Sequence, residues 1–504
     1  MKYDYVVVGG GTAGSVLATR LSEDAATTVL LLEAGPATGP DVMAVPPAWP
    51  ALLGSAVDWN FHTTPQHGLL GTQLPYPRGR TLGGSSSINA MAHLRGHPAG
   101  YDAWGVDGWR FDDLLPYFRR SETAAAGRDP KYRGTDGPMR VGPPPVRHPL
   151  AGAALAAVRE RGFAETPDLN GAEPEGATWL EMNIADGARQ SAADAYLRPV
   201  LGRPNLTVVT GALVTRLVLA GTHCTGVEYR VGDSPDSAEA ERSVVLTAGA
   251  VGSPHLLMLS GIGDPAELEK AGVTPRVALP GVGRNLQDHP LTGVVYSASR
   301  TMPDGANNHS DLVAAVRTAA GLEAPDLQLL FLDIPYFRPP LAGPTSGFTI
   351  GFSHLYPHSR GSVTLASADP TVAPIVDPAL LRDPRDVAAM LAGLRLARHI
   401  GTAAALDPWR DQEVLPGPAA TSPAQEEEFL RRSTGPYFHA SGTCALGTGS
   451  AAVVDPTLAV HGVTGLRIAD ASVLPTLIGA NTNATVLAVA EKAVDLLLGR
   501  EAAR

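Results

Sequence analysis

The chain has 504 residues, 44% of them apolar and 18% charged, with a net charge of −11. That length exceeds one compact core and predicts two domains; the composition is that of a globular protein, and the negative charge argues against nucleic acid or an anionic membrane as partner. Only Cys224 and Cys444 could pair, so no disulfide-stapled scaffold is expected; no apolar run reaches membrane-spanning length, and with a strand expected almost from Met1, the expectation is a cytoplasmic protein without a signal peptide.

The first predicted elements form a βαβ unit. Asp4–Val8 is an apolar, β-branched run that leads into Gly9-x-Gly11-x-x-Gly14. A helix pattern follows from Thr12 and Ala13, and a second apolar run ends in Glu33. Strand, glycine turn, helix, strand and acid in register make a dinucleotide-binding fingerprint. Gly9 permits the tight turn, Gly11 lets the backbone approach a pyrophosphate, and Gly14 lets helix and strand pack closely. The helix N-terminus supplies N–H donors to phosphate. Glu33, about twenty residues on, is placed to accept from ribose hydroxyls.

Residues 36–75, rich in Pro and Gly, read as an extended surface excursion. Arg80-x-Leu82-Gly83-Gly84-Ser85-Ser86-Ser87-Ile88-Asn89 is a small-residue turn, with a helix expected to start at Ala90-Met91-Ala92. Residues 125–147 are loop-like, and 150–163 helical by spacing. Between 205 and 250 the pattern alternates as strands: Leu206–Thr210, Val214–Leu219, Gly226–Arg230 and Val244–Thr247. The last runs into Ala248-Gly249-Ala250, and Ser253-Pro254 is expected to open a helix. Further strands are expected at Leu327–Leu332, Phe348–Phe352 and Gly361–Leu365, a long helix at Pro384–Ala403, a strand at Gly465–Ala471 and a final helix from Asn481 to Leu498.

This order predicts an α/β protein with a discontinuous Rossmann-like dinucleotide domain and a second α+β domain on an antiparallel sheet. The dinucleotide domain takes residues 1–150, 191–290 and 436–504. The second, substrate, domain takes 291–435 with an excursion at 151–190.

Four ordered segments carry a resemblance to a known family. They are Gly9–Gly14 with Glu33; Arg80–Asn89; Gly249-Ala250 through Ser260-Gly261-Ile262-Gly263; and His439-x-Ser441-Gly442-Thr443 with Asn481. The chain resembles the glucose–methanol–choline (GMC) family of FAD-dependent oxidoreductases over essentially its whole length. Arg95-Gly96-His97-Pro98 with Tyr101 and Trp104 looks like the choline dehydrogenase branch. His439-Ala-Ser-Gly-Thr and Ala480-Asn-Thr-Asn look like hydroxymethylfurfural-type alcohol oxidases.

The resemblance implies FAD as cofactor. It would be held by Gly9, Gly11, Thr12, Ala13, Gly14, Glu33, Arg80, Leu82, Gly83, Gly84, Ser85, Asn89, Met91, Val214, Ala248, Asp470, Ala471, Asn481 and Thr482. Where some relatives carry a histidine bonded to the flavin, this chain has Ile88, so non-covalent FAD is expected. No metal is expected.

Oxidising an alcohol requires a base of near-neutral pKa and a donor to the developing alkoxide. The resemblance assigns the base to His439 and the donor to Asn481. Asn481 could also be only the N-cap of the last helix, and Ser441-Gly442-Thr443 plain turn chemistry. His97, His255 and His289 are expected to be structural. A small-molecule alcohol is the expected substrate, with O2 or another group as electron acceptor. The same scaffold also hosts lyase and light-driven decarboxylase chemistry, which His439 alone does not exclude. Residues 291–350, which line the substrate entrance in relatives, look short, suggesting an open pocket.

Overall fold

The computed structural model describes residues 1–500. Its main elements are β1 (Lys2–Val8), α1 (Thr12–Leu21), β2 (Val29–Glu33), α2 (Phe111–Ser121), α3 (Pro149–Glu160), β3 (Gly176–Trp179), β4 (Leu206–Thr210), β5 (Ala212–Ala220), β6 (His223–Val231), β7 (Ser234–Leu246), α4 (Gly249–Leu259), β8 (Pro290–Ala298), β9 (Leu312–Val316), β10 (Leu327–Leu332), β11 (Gly347–His354), α5 (Pro384–Gly401), β12 (Arg410–Leu415), β13 (Leu466–Ile468) and α6 (Asn483–Leu498). No helix among the described residues is long and apolar enough to cross a membrane.

The first sheet runs β4-β2-β1-β7-β6-β5, with β13 also on β7. Strands β4, β2, β1, β7 and β13 are parallel. Their unbroken apolar runs are what a sheet covered on both faces requires; all five residues of β2 are buried. Strands β5, β6 and the first half of β7 form an antiparallel meander. Helix α6 packs on α1 and α2, and Arg20 and Arg120, one from each, reach its fully buried Glu491 carboxylate.

The second sheet, β12-β8-β11-β10-β9-β3, is antiparallel throughout. Side chains alternate faces along a strand, and β10 uses both. Leu327, Leu329 and Phe331 enter the apolar core that includes Met390, Leu394 and Ala397 of α5. Leu330 and Leu332 face the other way, into a cavity between the two sheets.

Three local expectations are corrected. Residues 36–75 are not simply an extended excursion: they make helical turns at Asp41–Ala44, Pro46–Leu52 and His67–Leu69, and bury Leu52, Val57, Leu69 and Leu74. No helix starts at Ala90. The Asn89 side chain accepts from the Met91 N–H (2.9 Å) and Met91 adopts φ +57°, a local turn that competes with helix formation. Helix α4 begins at Gly249 rather than at Ser253. Pro254, inside it, cannot donate to the Ala250 carbonyl; the Thr443 hydroxyl takes that acceptor at 2.7 Å.

Candidate active site

A cavity of about 720 Å³ extends from the carboxyl ends of β1 and β2 to the turn at 437–440. It lies where ligands bind in open parallel sheets, beyond the strand carboxyl ends. Of the residues expected to hold a cofactor, Gly9, Gly11, Thr12, Ala13, Glu33, Arg80, Gly84, Ser85, Asn89, Met91, Val214, Ala248, Asp470, Ala471, Asn481 and Thr482 line it, as does His439. Gly14, Leu82 and Gly83 do not. A Cβ on Gly14 would lie 1.9 Å from the Gly9 carbonyl, so its part is close packing. Leu82 packs against Gly10, and the Gly83 N–H donates to the Gly10 carbonyl (2.7 Å); both support the glycine turn from behind.

The cavity fits a dinucleotide at that end. Helix α1 starts at Thr12 behind the N-cap residue Gly11, with no side-chain cap and no acid in its first turn, leaving its N–H groups and positive dipole end to an anion. A Cβ on Gly11 would meet nothing closer than 3.9 Å, so its side stands open to the cavity. Glu33 is buried and accepts from the N–H groups of Gly10 (2.8 Å) and Gly35 (2.7 Å). Burial raises its pKa to about 7 against those two bonds, and each oxygen keeps a lone pair for a ribose hydroxyl. Asp470 also lines the wall, but its carboxylate is engaged by the protein: Ser253 Oγ (2.6 Å), Gly249 N (2.9 Å) and Ser472 N (2.8 Å).

His439 is placed by a zipped pair of segments. Pro290 and Leu291 pair with Pro436 and Gly435, and Gln287 bridges to Ser441. Four residues on one side thus face six on the other, and the chain bulges at Phe438 and His439. Phe438 sits at φ +65°, an unfavourable region for an aromatic residue. Within the bulge the Asp288 carboxylate accepts the His439 backbone N–H at 2.7 Å. Burial raises the Asp288 pKa to about 6.

A single buried chain of hydrogen bonds then fixes the His439 ring. His289 Nε2 lies 2.9 Å from the Leu355 carbonyl, which can only accept, so that nitrogen carries hydrogen. Neutral His289 therefore accepts at Nδ1, and His439 Nδ1–H donates to it at 2.8 Å. The lone pair of His439 is left on Nε2, where the Asn481 amide Nδ2–H donates at 3.1 Å. Asn481 Oδ1 in turn accepts from Gln328 at 3.3 Å. Burial lowers the His439 pKa well below 6.5, with His289 and Arg78 adding to it; burial lowers that of His289 to about 4. Both rings are neutral at physiological pH.

His289 was expected to be structural and in fact touches the candidate base. Its place in Asp288-His289-Pro290 holds no spacing signal, because the contact arises from pairing across 150 residues. Asn481 is not the helix cap: Thr482 holds that position, with no side-chain cap bond. Arg189 was also missed. Its guanidinium, buried and lowered in pKa to about 10 by burial, donates to the carbonyls of Asn89 and Met43 and so clamps the turn at 86–89. The cavity wall carries the apolar and aromatic side chains of Leu291, Leu330, Leu332, Tyr336 and Tyr437, with Arg78 as a charged member; the Tyr437 ring centroid lies 4.2 Å from that of the His439 imidazole.

GMC oxidoreductase family profiles match residues 3–291 and 357–490. This chain belongs to the GMC oxidoreductase family. It is therefore an FAD-dependent oxidoreductase acting on CH–OH donors. It is 38% identical to human mitochondrial choline dehydrogenase, over 99% of this chain and 90% of that one. It is 39% identical to an oxygen-dependent choline dehydrogenase of Brucella ovis, over 99% and 96%. Among solved structures, pyridoxine 4-oxidase from Mesorbium loti superposes with a TM-score of 0.95 at 38% identity, over 99% of this chain and all of that one. A fungal aryl-alcohol oxidase gives 0.87 at 25% identity, over 99% of each.

Proposed function

We propose that this GMC oxidoreductase oxidises a neutral primary alcohol with an aromatic or apolar body to the aldehyde. The single observation that carries the reading is the chain Leu355–His289–His439–Asn481, which leaves a lone pair on His439 Nε2 at the cavity wall. A hydroxyl inserted between Nε2 and the Asn481 amide would donate its proton to the former and accept from the latter. His439 Nε2 takes the proton, and Asn481 Nδ2–H steadies the oxygen as it gains negative charge. The proton arriving on Nε2 makes an imidazolium, whose Nδ1–H remains held by His289. Bound FAD supplies the two-electron acceptor for the hydride leaving the same carbon.

The wall supports the substrate class. Among the described residues Glu33 and Asp470 are the only carboxylates lining the cavity, and Asp470 is engaged by Ser253 and Gly249. The Asp288 carboxylate beside His439 is tied to the His439 backbone N–H and is not among the cavity-lining residues, whereas Leu291, Leu330, Tyr336 and Tyr437 line it and suit an uncharged ring or chain. Ile88, packed with Leu52 and Val57, offers no nucleophile at the position where some relatives bond the flavin, so FAD is held non-covalently. An anaerobic panel of benzylic, pyridyl, aliphatic and quaternary-ammonium alcohols tests the reading. Benzylic or pyridyl alcohols should bleach the flavin band and choline should not; rapid bleaching by choline alone would overturn it. Air readmitted afterwards distinguishes O2 from another acceptor.

A further inference from the structure

At the far end of β11 from Gly347, three side chains outside the cavity aim unshared lone pairs at one another. They are His354 at the strand's last position, His358 in the following turn, and Asp386 in the first turn of α5. One nitrogen or oxygen from each lies within 4.8 Å of the other two. His358 Nδ1 is 3.4 Å and His354 Nε2 is 4.0 Å from Asp386 Oδ1.

Their protonation is constrained by what surrounds them. His354 Nδ1 lies 3.2 Å from the Asp326 carbonyl, so Nδ1 carries the hydrogen and Nε2 of the neutral ring is an acceptor. That Nε2 has no hydrogen-bond partner, although His354 is only 5% exposed. Asp386, 1% exposed, is oriented by the backbone N–H groups of His358 (2.7 Å) and Ser359 (2.9 Å). Nearby cations are committed elsewhere: Arg360 donates to the Pro357 and Ser359 carbonyls and Arg385 to Asp383. A buried carboxylate and a buried, unsatisfied imidazole nitrogen thus face one another with no donor between them. Buried polar groups without partners are costly, and a cation at the centre would give His354 Nε2 the partner it lacks while drawing on the free lone pairs of Asp386 and His358.

We propose that His354 Nε2, His358 Nδ1 and Asp386 Oδ1 form a binding site for a divalent transition-metal ion, with a remaining position open to water on the exposed His358 side. Two imidazoles and a carboxylate suit Zn²⁺ and its neighbours rather than Mg²⁺ or Ca²⁺. Metal–ligand bonds of about 2.0–2.2 Å in tetrahedral geometry set ligand atoms roughly 3.4 Å apart. One edge already has that length; the His354–His358 edge closes by movement of His358, whose side chain is 43% exposed, and the 4.0 Å His354–Asp386 edge by a shift of roughly 0.6 Å in either side chain. The backbone N–H groups on Asp386 and the carbonyl on His354 Nδ1 are the outer partners that orient metal ligands. The sequence signal is His354-x-x-x-His358, but its carboxylate comes from 28 residues further on. The ion would pin the turn at 355–359 to α5, and that turn carries the Leu355 carbonyl bonded to His289.

Equilibrium dialysis of the full-length, FAD-loaded protein against Zn²⁺, with elemental analysis, tests this. One equivalent should bind to the wild type, and His358→Ala, a surface change, should weaken that binding at least about tenfold. Melting temperature should rise with free Zn²⁺ in the wild type and stay flat in His358→Ala. Co²⁺ should give visible absorption beyond the flavin bands only in the wild type. No bound metal, or equal binding by wild type and His358→Ala, overturns the proposal. His354→Gln serves as a second variant, and its folding is read from retained yellow colour.

Discussion

Replacing His289 tests whether the histidine pair acts as a unit. In His289→Leu the His439 Nδ1–H loses its 2.8 Å acceptor inside a buried site, and the Leu355 carbonyl loses its 2.9 Å donor. Leaving a buried donor unsatisfied costs about 1–3 kcal/mol. That cost falls on the tautomer with hydrogen on Nδ1 and favours the ring form whose Nε2 cannot accept a proton. Carried into the barrier, it corresponds to about a 5- to 150-fold loss of rate. The assay is anaerobic stopped-flow reduction of the flavin by the best alcohol from the panel. His289→Leu should slow reduction within that range while keeping FAD, and His289→Asn, whose amide oxygen can accept from Nδ1, should recover part of the loss. If His289→Leu reduces its flavin within twofold of wild type, the ring of His439 is held by something else and the tautomer argument fails.

Asn481→Leu removes the amide that donates to the substrate oxygen but leaves the base, so flavin reduction should fall by less than in His439→Ala under the same assay. Gly14→Ala places a Cβ 1.9 Å from the Gly9 carbonyl; the purified protein should lose bound FAD, read as the ratio of visible to ultraviolet absorbance. Thr443→Val orphans the Ala250 carbonyl beside Pro254 and should lower unfolding stability by about 1–3 kcal/mol in a denaturant melt. His289, with its pKa lowered to about 4 in the fold against about 6.5 unfolded, binds a proton more tightly when unfolded. Its stabilisation is full above pH 6.5 and is lost as pH falls towards 4, by about 3 kcal/mol in total; acid melts of His289→Leu should show a shallower decline over that window than wild type.

Much of this architecture was legible because it is written locally. The run Val6–Val8, the glycines at 9, 11 and 14 and the acid at 33 sit within one βαβ unit, where spacing and chemistry are read together. The strands at 206–246 and 327–332 and the helices at 384 and 483 followed from periodicity for the same reason. What escaped was non-local. Met91 turns away from a helix because Asn89 captures its N–H. Helix α4 starts four residues early because Asp470, more than two hundred residues on, accepts from Gly249 and Ser253. In the site, His439 and Asn481 were found through family motifs. His289 and Gln328 complete the hydrogen-bond chain only after the fold brings β8 beside Gly435 and Pro436 and β10 beside Asn481.

The central claim is that His439 Nε2 deprotonates the alcohol whose hydride reduces the flavin. Anaerobic mixing of wild type and His439→Ala with the same alcohol measures it directly, both proteins being yellow at the start. The account predicts bleaching of the wild type and a rate slower by about 10²–10⁴-fold in His439→Ala. Equal rates in a variant that has kept its FAD would contradict it.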